Sequence, residues 1–148
     1  MLSLNQCNLG EDGAAYIAQG LAKNRRLRTL LLSSNQLGDR GLQMIADSIE
    51  YSSLEHLDLS KNQLTNVGVV DFAENLSNNR SLVTVNLRSN QIGKDGGMAM
   101  REAVGIHKYL VRVYLEDNAV QVRDIEEIEK YTARNRELRA KQRMPYFE

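Results

Sequence analysis

Hydrophobic positions along the chain follow two alternating periods. Leu2, Leu4, Cys7 and Leu9 stand at spacings of two, three and two residues, with Gly10 directly after. The same spacing returns at Leu30, Leu32, Asn35 and Leu37, and again at Leu57, Leu59, Asn62 and Leu64. Val85, Leu87, Asn90 and Ile92 make a fourth copy, and Val113, Leu115, Asn118 and Val120 a fifth. Successive copies lie 27 or 28 residues apart. From the second copy onward a leucine also stands three residues ahead, at Leu27, Leu54, Leu82 and Leu110. Self-similarity at a fixed period of this length is the sequence mark of stacked repeats.

Within each copy the alternation of apolar and other residues predicts a short strand, because side chains two apart share one face of a strand. Between copies the period becomes helical. Gly41, Leu42, Ile45, Ala46 and Ile49 fall on one face of a helix, as do Gly13, Ala14, Ile17, Ala18 and Leu21. Gly68, Val69, Phe72, Ala73 and Leu76 repeat that stripe. Each unit therefore reads as strand, turn and a helix of about three turns. Glycines 13, 41, 68 and 96 fit places where the backbones of neighbouring units come close.

One such unit cannot bury its own leucines, whereas a neighbour on each side can, at roughly 1.5–3 kcal/mol per buried side chain. A turn leaving a strand also leaves backbone N–H and C=O groups that need partners. A carboxamide offers donors and an acceptor together, so Asn35, Asn62, Asn90 and Asn118 are expected to bridge successive turns as a ladder. Cys7 holds that position in the first copy and is read as structural rather than as a reactive thiol.

The residues Leu-x-x-Leu-x-Leu-x-x-Asn-x-Leu, repeated over nearly the whole chain, resemble the leucine-rich repeat, in its long ribonuclease-inhibitor-like form. The resemblance implies an α/β solenoid, a horseshoe segment with parallel strands on the concave side and helices on the convex side. It also implies protein recognition as the usual role. Families that carry this repeat include ribonuclease inhibitor, the sensor ends of nucleotide-binding innate immune receptors, Ran GTPase activators, and cytoskeletal and ciliary scaffolds.

Organisation follows as five repeats over residues 1–123 and a C-terminal capping helix with a tail over 124–148. Asp124 with Glu127 three residues later reads as a helix start, and Ile125, Ile128, Tyr131 and Leu138 continue an apolar stripe. Asn135-Arg136-Glu137-Leu138-Arg139 resembles Asn24-Arg25-Arg26-Leu27-Arg28, as though a sixth unit began there. Lys141 and Arg143 stand where its strand leucines would fall, so stacking is expected to stop. Arg134, Arg136, Arg139, Lys141 and Arg143 follow Asp124, Glu126, Glu127 and Glu129, an order the helix dipole favours. Glu126–Lys130 and Glu137–Lys141 are expected as i,i+4 pairs. At the other end Met1-Leu2-Ser3-Leu4 is already repeat strand, so the first unit is expected to show an uncapped edge. Either a longer array or a docked neighbour would cover it. The segment Met144-Pro145-Tyr146-Phe147-Glu148 is expected to fold over the last repeat or to insert into a partner.

Charge narrows the function. Lys plus Arg and Asp plus Glu each number 19, which leaves no basic surplus for nucleic acid or an anionic membrane surface. The longest apolar run, Ala14 to Ala18, is far short of the ~20 residues needed to span a bilayer, so no membrane insertion is expected. Without a basic and apolar leader at its start, the chain is expected in the cytoplasm, with cytoskeleton or cilium as possible settings. The single cysteine excludes an internal disulfide or a cysteine zinc cluster, and no cofactor or metal is expected.

The strand positions between the leucines define the concave face: Thr29, Leu31, Ser33 and Ser34, then His56, Asp58, Ser60 and Lys61. Thr84, Asn86, Arg88 and Ser89 follow, and Arg112, Tyr114, Glu116 and Asp117 complete it. Residues grow larger and more charged toward the C-terminal units. Arg and Tyr are the types that carry interface energy, so Arg88, Arg112, Tyr114 and Glu116, with Asp58 and His56 beside them, are the candidate partner-binding residues. No nucleophile and base arrangement follows from the positions of His56 and His107, and Gly93 and Gly96 are repeat glycines rather than a phosphate loop. The expectation is a non-enzymatic scaffold that binds protein partners in a larger assembly. A GTPase-activating regulator of the Ran-activator type, or a sensor-array segment of an innate immune receptor, is the alternative.

Overall fold

The computed structural model describes residues 1–143, and the tail 144–148 lies outside the described residues. Strands and helices alternate from end to end. β1 (Leu2–Ser3), β2 (Thr29–Leu31), β3 (His56–Asp58), β4 (Thr84–Asn86) and β5 (Arg112–Tyr114) alternate with α1 (Gly10–Lys23), α2 (Gly38–Ile49), α3 (Asn66–Asn78), α4 (Lys94–Ile106) and α5 (Val122–Arg143). The five strands form one sheet in chain order, every pair parallel. Parallel neighbours need a crossover, and α1 to α4 each supply one. Register follows the repeat, with Leu30 beside Leu57, Leu57 beside Val85 and Val85 beside Val113.

The core is a continuous layer between sheet and helices. Leu32, Leu59 and Leu87 are fully buried from the strand side, and Leu42, Ile45, Phe72, Leu76, Met100 and Val104 meet them from the helices. Leu54, Leu82 and Leu110, ahead of their strands, are also fully buried. The first unit is less covered. Leu2 is 40% exposed and lies with Ile17, Leu21, Leu27 and Leu30 around a shallow apolar hollow on the outer side of the array.

Close approach explains the glycines at two positions. A Cβ on Gly68 would stand 2.9 Å from the Asp39 Cα, and one on Gly96 would stand 2.7 Å from Ile92 Cγ2. Helix starts are tied to the unit before. Asp39 accepts from the Thr65 N–H at 2.8 Å and from the Thr65 hydroxyl at 2.5 Å, and Asn66 Oδ1 accepts from the N–H groups of Gly93 and Gly96 at 2.7 and 3.0 Å. Backbone donors left free at a helix N-terminus are thus satisfied by the neighbouring repeat.

The C-terminal segment differs from expectation in three respects. α5 begins at Val122, so Asp124 is inside its first turn, nearly buried and paired with Arg101 Nη1 at 3.0 Å, rather than capping the helix from outside. The segment from Asn135 does not start a new unit, because the helix continues unbroken to Arg143. No glycine or proline lies within it to stop the helix. Lys130 pairs with Glu127 at 2.8 Å instead of Glu126, one residue closer along the helix.

Candidate functional site

The turns set the geometry of the concave face. Asn35 Oδ1 accepts from the Cys7 and Leu9 N–H groups at 2.9 and 3.4 Å, while its amide donates to the Leu4 and Leu32 carbonyls at 2.8 and 2.9 Å. Asn62 makes the same contacts with Asn35 N, Leu37 N and Leu32 O, and Asn90 with Asn62 N, Leu64 N and Leu59 O. Asn118 accepts from Ile92 N at 3.0 Å and donates to Leu87 O at 2.9 Å. Each carboxamide closes its own turn and the preceding one. Residues before these asparagines, Ser34, Lys61, Ser89 and Asp117, have φ between 54° and 59°. That left-handed step turns the chain sharply out of the strand, and non-glycine residues accept its cost.

A second polar row, which the hydrophobic pattern did not reveal, secures the opposite loops. Asn79 Oδ1 accepts from the Ser81 and Leu82 N–H groups at 3.0 and 2.8 Å. Asn24 Oδ1 does the same for Arg26 and Leu27, and His107 Nδ1 for Tyr109 and Leu110. Asn135 donates to the carbonyls of His107 and Leu110, both at 2.8 Å. Each of these four residues stands three positions before a leucine, which is the signal a search for polar periodicity would have found.

With strands and turns fixed, the concave side chains line up in rows across the sheet. His56, Thr84 and Arg112 are register partners, as are Asp58, Asn86 and Tyr114. Arg88, Arg112, Tyr114 and Glu116 come together as one cluster. The Arg88 guanidinium binds Glu116 through two bonds, at 2.8 and 2.6 Å, and lies 4.4 Å from the centre of the Tyr114 ring. Arg112 Nη1 reaches the Tyr114 hydroxyl at 3.3 Å. The bonds from Arg88 hold the Glu116 carboxyl well below its usual range, at about 2, and the carboxylate in turn raises the Arg88 pKa. Side chains of the pair are 44% and 56% exposed, so solvent screens the attraction. Its effect is to fix the position of the arginine rather than to stabilise the fold.

Asp58 and His56 lie outside this cluster. Asp58 Oδ1 accepts from the Ser60 N–H at 2.9 Å and from its hydroxyl at 2.7 Å, a local turn that commits the carboxylate inward along its own strand. His56 is exposed at the start of β3, beside Arg112, Arg136 and Arg139. Among the described residues no group of histidine, cysteine or carboxylate side chains is arranged to hold a metal ion. No helix among them is long and apolar enough to cross a membrane.

Comparison with known proteins agrees with this architecture. The family model described as Leucine Rich repeat matches residues 23–46, 52–73 and 78–100. This chain is a leucine-rich-repeat protein. Its repeats are of the ribonuclease-inhibitor-like kind. The human NACHT, LRR and PYD domains-containing protein 14 is 33% identical over 97 residues, 64% of this chain and 9% of that protein. The mouse ribonuclease inhibitor is 32% identical over 105 residues, 70% of this chain and 23% of the inhibitor. The chain thus spans a minor part of the length of these relatives. Among solved structures, leiomodin-1 actin-binding site 2 superposes with a TM-score of 0.87 over 96% of this chain and 83% of that one, at 14% identity. The C-terminal domain of Caenorhabditis elegans tropomodulin gives a TM-score of 0.60, covering 88% of this chain and 97% of that domain, at 13% identity. At such identities the likeness concerns the fold.

Proposed function

We propose that this leucine-rich-repeat chain is a non-catalytic protein-binding module whose concave face, at β4 and β5, receives a protein partner as part of a larger assembly. The observation that carries the reading is the cluster of Arg88, Tyr114, Glu116 and Arg112. Arg88 is held on two sides, by an aromatic face and a carboxylate, so little side-chain freedom is left to lose on binding. Arg and Tyr are the types that dominate interface energies once covered. Arg88 is neutralised by Glu116 and Arg112 leaves a single positive charge, which suits a partner of mixed polarity better than a strongly charged one.

A second reading, a sensing repeat array of the kind in innate immune receptors, draws support from the 30–33% identity to NACHT, LRR and PYD domains-containing proteins. The two readings differ in the partner and agree on the face. The test is affinity capture from native lysate with mass spectrometry, comparing the wild-type chain with an Arg88→Ala/Arg112→Ala/Tyr114→Ala variant. A defined partner set absent from the variant is expected. The same partners retained by a folded variant would remove the concave face from the proposal.

A further inference from the structure

A different surface, on the side where the chain enters the strands, has a chemistry that the repeat packing and the concave cluster leave largely unused. The last turns of α5 run beside the loops leading into the strands and leave a cleft of about 430 Å3 between them. Arg80 and Lys108 from those loops and Arg139 from α5 line it. None of the three has an ion-pair partner among the described residues. Arg28 also faces the cleft, with the one carboxylate there, Glu55, at 3.6 Å from it. A shallower continuation shares Arg139 and adds Arg112 and Arg136. Among the described residues, six cations, with Arg112 shared with the concave cluster, therefore stand against one carboxylate in a chain whose formal charge is zero. The positive charge along α5 serves the helix dipole, as the sequence predicts, yet that role needs no gathering of Arg80 and Lys108 from two other repeats.

The cleft also has an apolar element. Leu138, 43% exposed, and Tyr109, 45% exposed, both line it, with Val83 between the loops. Leu138 belongs to the α5 stripe that includes Ile128 and Tyr131, yet Ile128 is buried against the last repeat whereas Leu138 is left uncovered. A solvent-exposed leucine and tyrosine among unpaired cations match a ligand that carries both carboxylates and an apolar side chain. A phosphate backbone would use the charges and leave the leucine idle. The geometry points to this cleft as a docking site for an acidic peptide segment of a partner protein, with one large apolar residue of that segment seated against Leu138 and Tyr109. Basic side chains at the rim steer and orient the segment, and the apolar contact fixes its register. Arg112 borders both surfaces, whereas Arg80, Lys108, Leu138 and Arg139 belong to the cleft alone, so variants at those positions test it independently of the concave-face reading.

The experiment uses the full chain and fluorescence anisotropy at low and physiological salt. The probe is a labelled peptide of about a dozen residues, glutamates around a single central leucine, and an oligothymidylate of equal charge is the competitor of another class. Expected results are saturable binding of the peptide, weakening with salt, and a loss of about tenfold or more in the Arg80→Glu/Arg139→Glu variant. Leu138→Ser, or serine in place of the peptide's leucine, is expected to weaken binding several-fold. Lys94→Glu/Arg123→Glu, which changes net charge equally at exposed sites elsewhere, is expected to leave affinity unchanged. Circular dichroism melts confirm that each variant is folded. The proposal is overturned by absence of peptide binding, by an equal loss in the Lys94/Arg123 variant, or by insensitivity to both leucine changes. Oligothymidylate binding as tight as the peptide's would also overturn it, in favour of a general polyanion surface.

Discussion

His107 makes stability depend on pH in a way that a single substitution should abolish. The imidazole closes the loop between α4 and β5, where Nδ1 accepts from the N–H groups of Tyr109 and Leu110 at 3.1 and 3.0 Å. Accepting two donors requires a bare Nδ1, so the ring is neutral with its proton on Nε2. Only 3% of the residue is exposed, and Nε2 closes no hydrogen bond. Burial pushes the His107 pKa down from 6.5 to about 4, and the neighbouring backbone of Asn79 offsets only part of that. Between these values the unfolded chain binds a proton that the folded chain refuses. Stability from this residue is therefore complete above pH 6.5 and falls as the pH drops toward 4. At about 1.4 kcal/mol per pH unit, the interval removes about 3 kcal/mol.

Asn24 and Asn79 perform the same loop closure with a group that does not titrate. His107→Asn should therefore keep the loop and lose the pH dependence. Urea unfolding of both proteins at pH 7.5, 6.0 and 5.0 is the assay. The wild-type midpoint should fall relative to that of His107→Asn by an amount that grows steadily as the pH drops. Parallel pH profiles for the two proteins would refute the reasoning, as would a His107 ring proton that titrates near pH 6.5 in folded protein by NMR.

Two further substitutions test the packing. Asn62→Ala removes partners from Asn35 N, Leu37 N and the carbonyls of Leu32 and Ser60, and should cost about 1–3 kcal/mol in chemical unfolding; an unchanged melting temperature would remove the ladder from any role in stability. Gly68→Ala places a methyl group against the Asp39 backbone and disturbs the cap on α3, so a loss of about 1–3 kcal/mol is expected, and a neutral result would show that α2 and α3 can separate freely.

Most of the fold is legible in the sequence because the repeat places every apolar residue in a fixed role. Spacings of two residues around Leu30, Leu57 and Val85 give the strands, and the stripe from Leu42 to Ile49 gives a helix face. Polar residues are harder to read. Asp39 and Asn66 look like solvated side chains at helix starts, yet each caps the helix of the next unit, a contact that depends on how two repeats stack. Asn135 resembles Asn24 in its local sequence but lies inside a helix, because nothing near it stops helix growth. The concave rows follow from strand alternation and the 28-residue step, which carries Arg88 to Glu116. Asp58 differs because a short carboxylate two residues before Ser60 is satisfied locally, a competition that alternation does not describe. The cleft beside α5 was hidden for another reason. Arg80, Lys108 and Arg139 are dispersed in sequence, and only the path of the last helix gathers them.

The asparagine ladder also gives the stack a direction. Asn35 closes the turn of the first unit, Asn62 that of the second, and Asn118 reaches back to Ile92 in the fourth. Support at these turns therefore runs backward along the chain, each turn depending on the repeat that follows it, while the helix caps from Asp39 and Asn66 run forward. At the turns, removing the first repeat would hand the outward side of the Asn35 carboxamide to water, where it is satisfied. Removing the last would strip Ile92 N of its acceptor and leave a turn unclosed. A leading unit therefore needs no predecessor at its turn, whereas the first to fourth units are each closed by a successor's carboxamide, and beyond the fifth the place of a successor is occupied by α5.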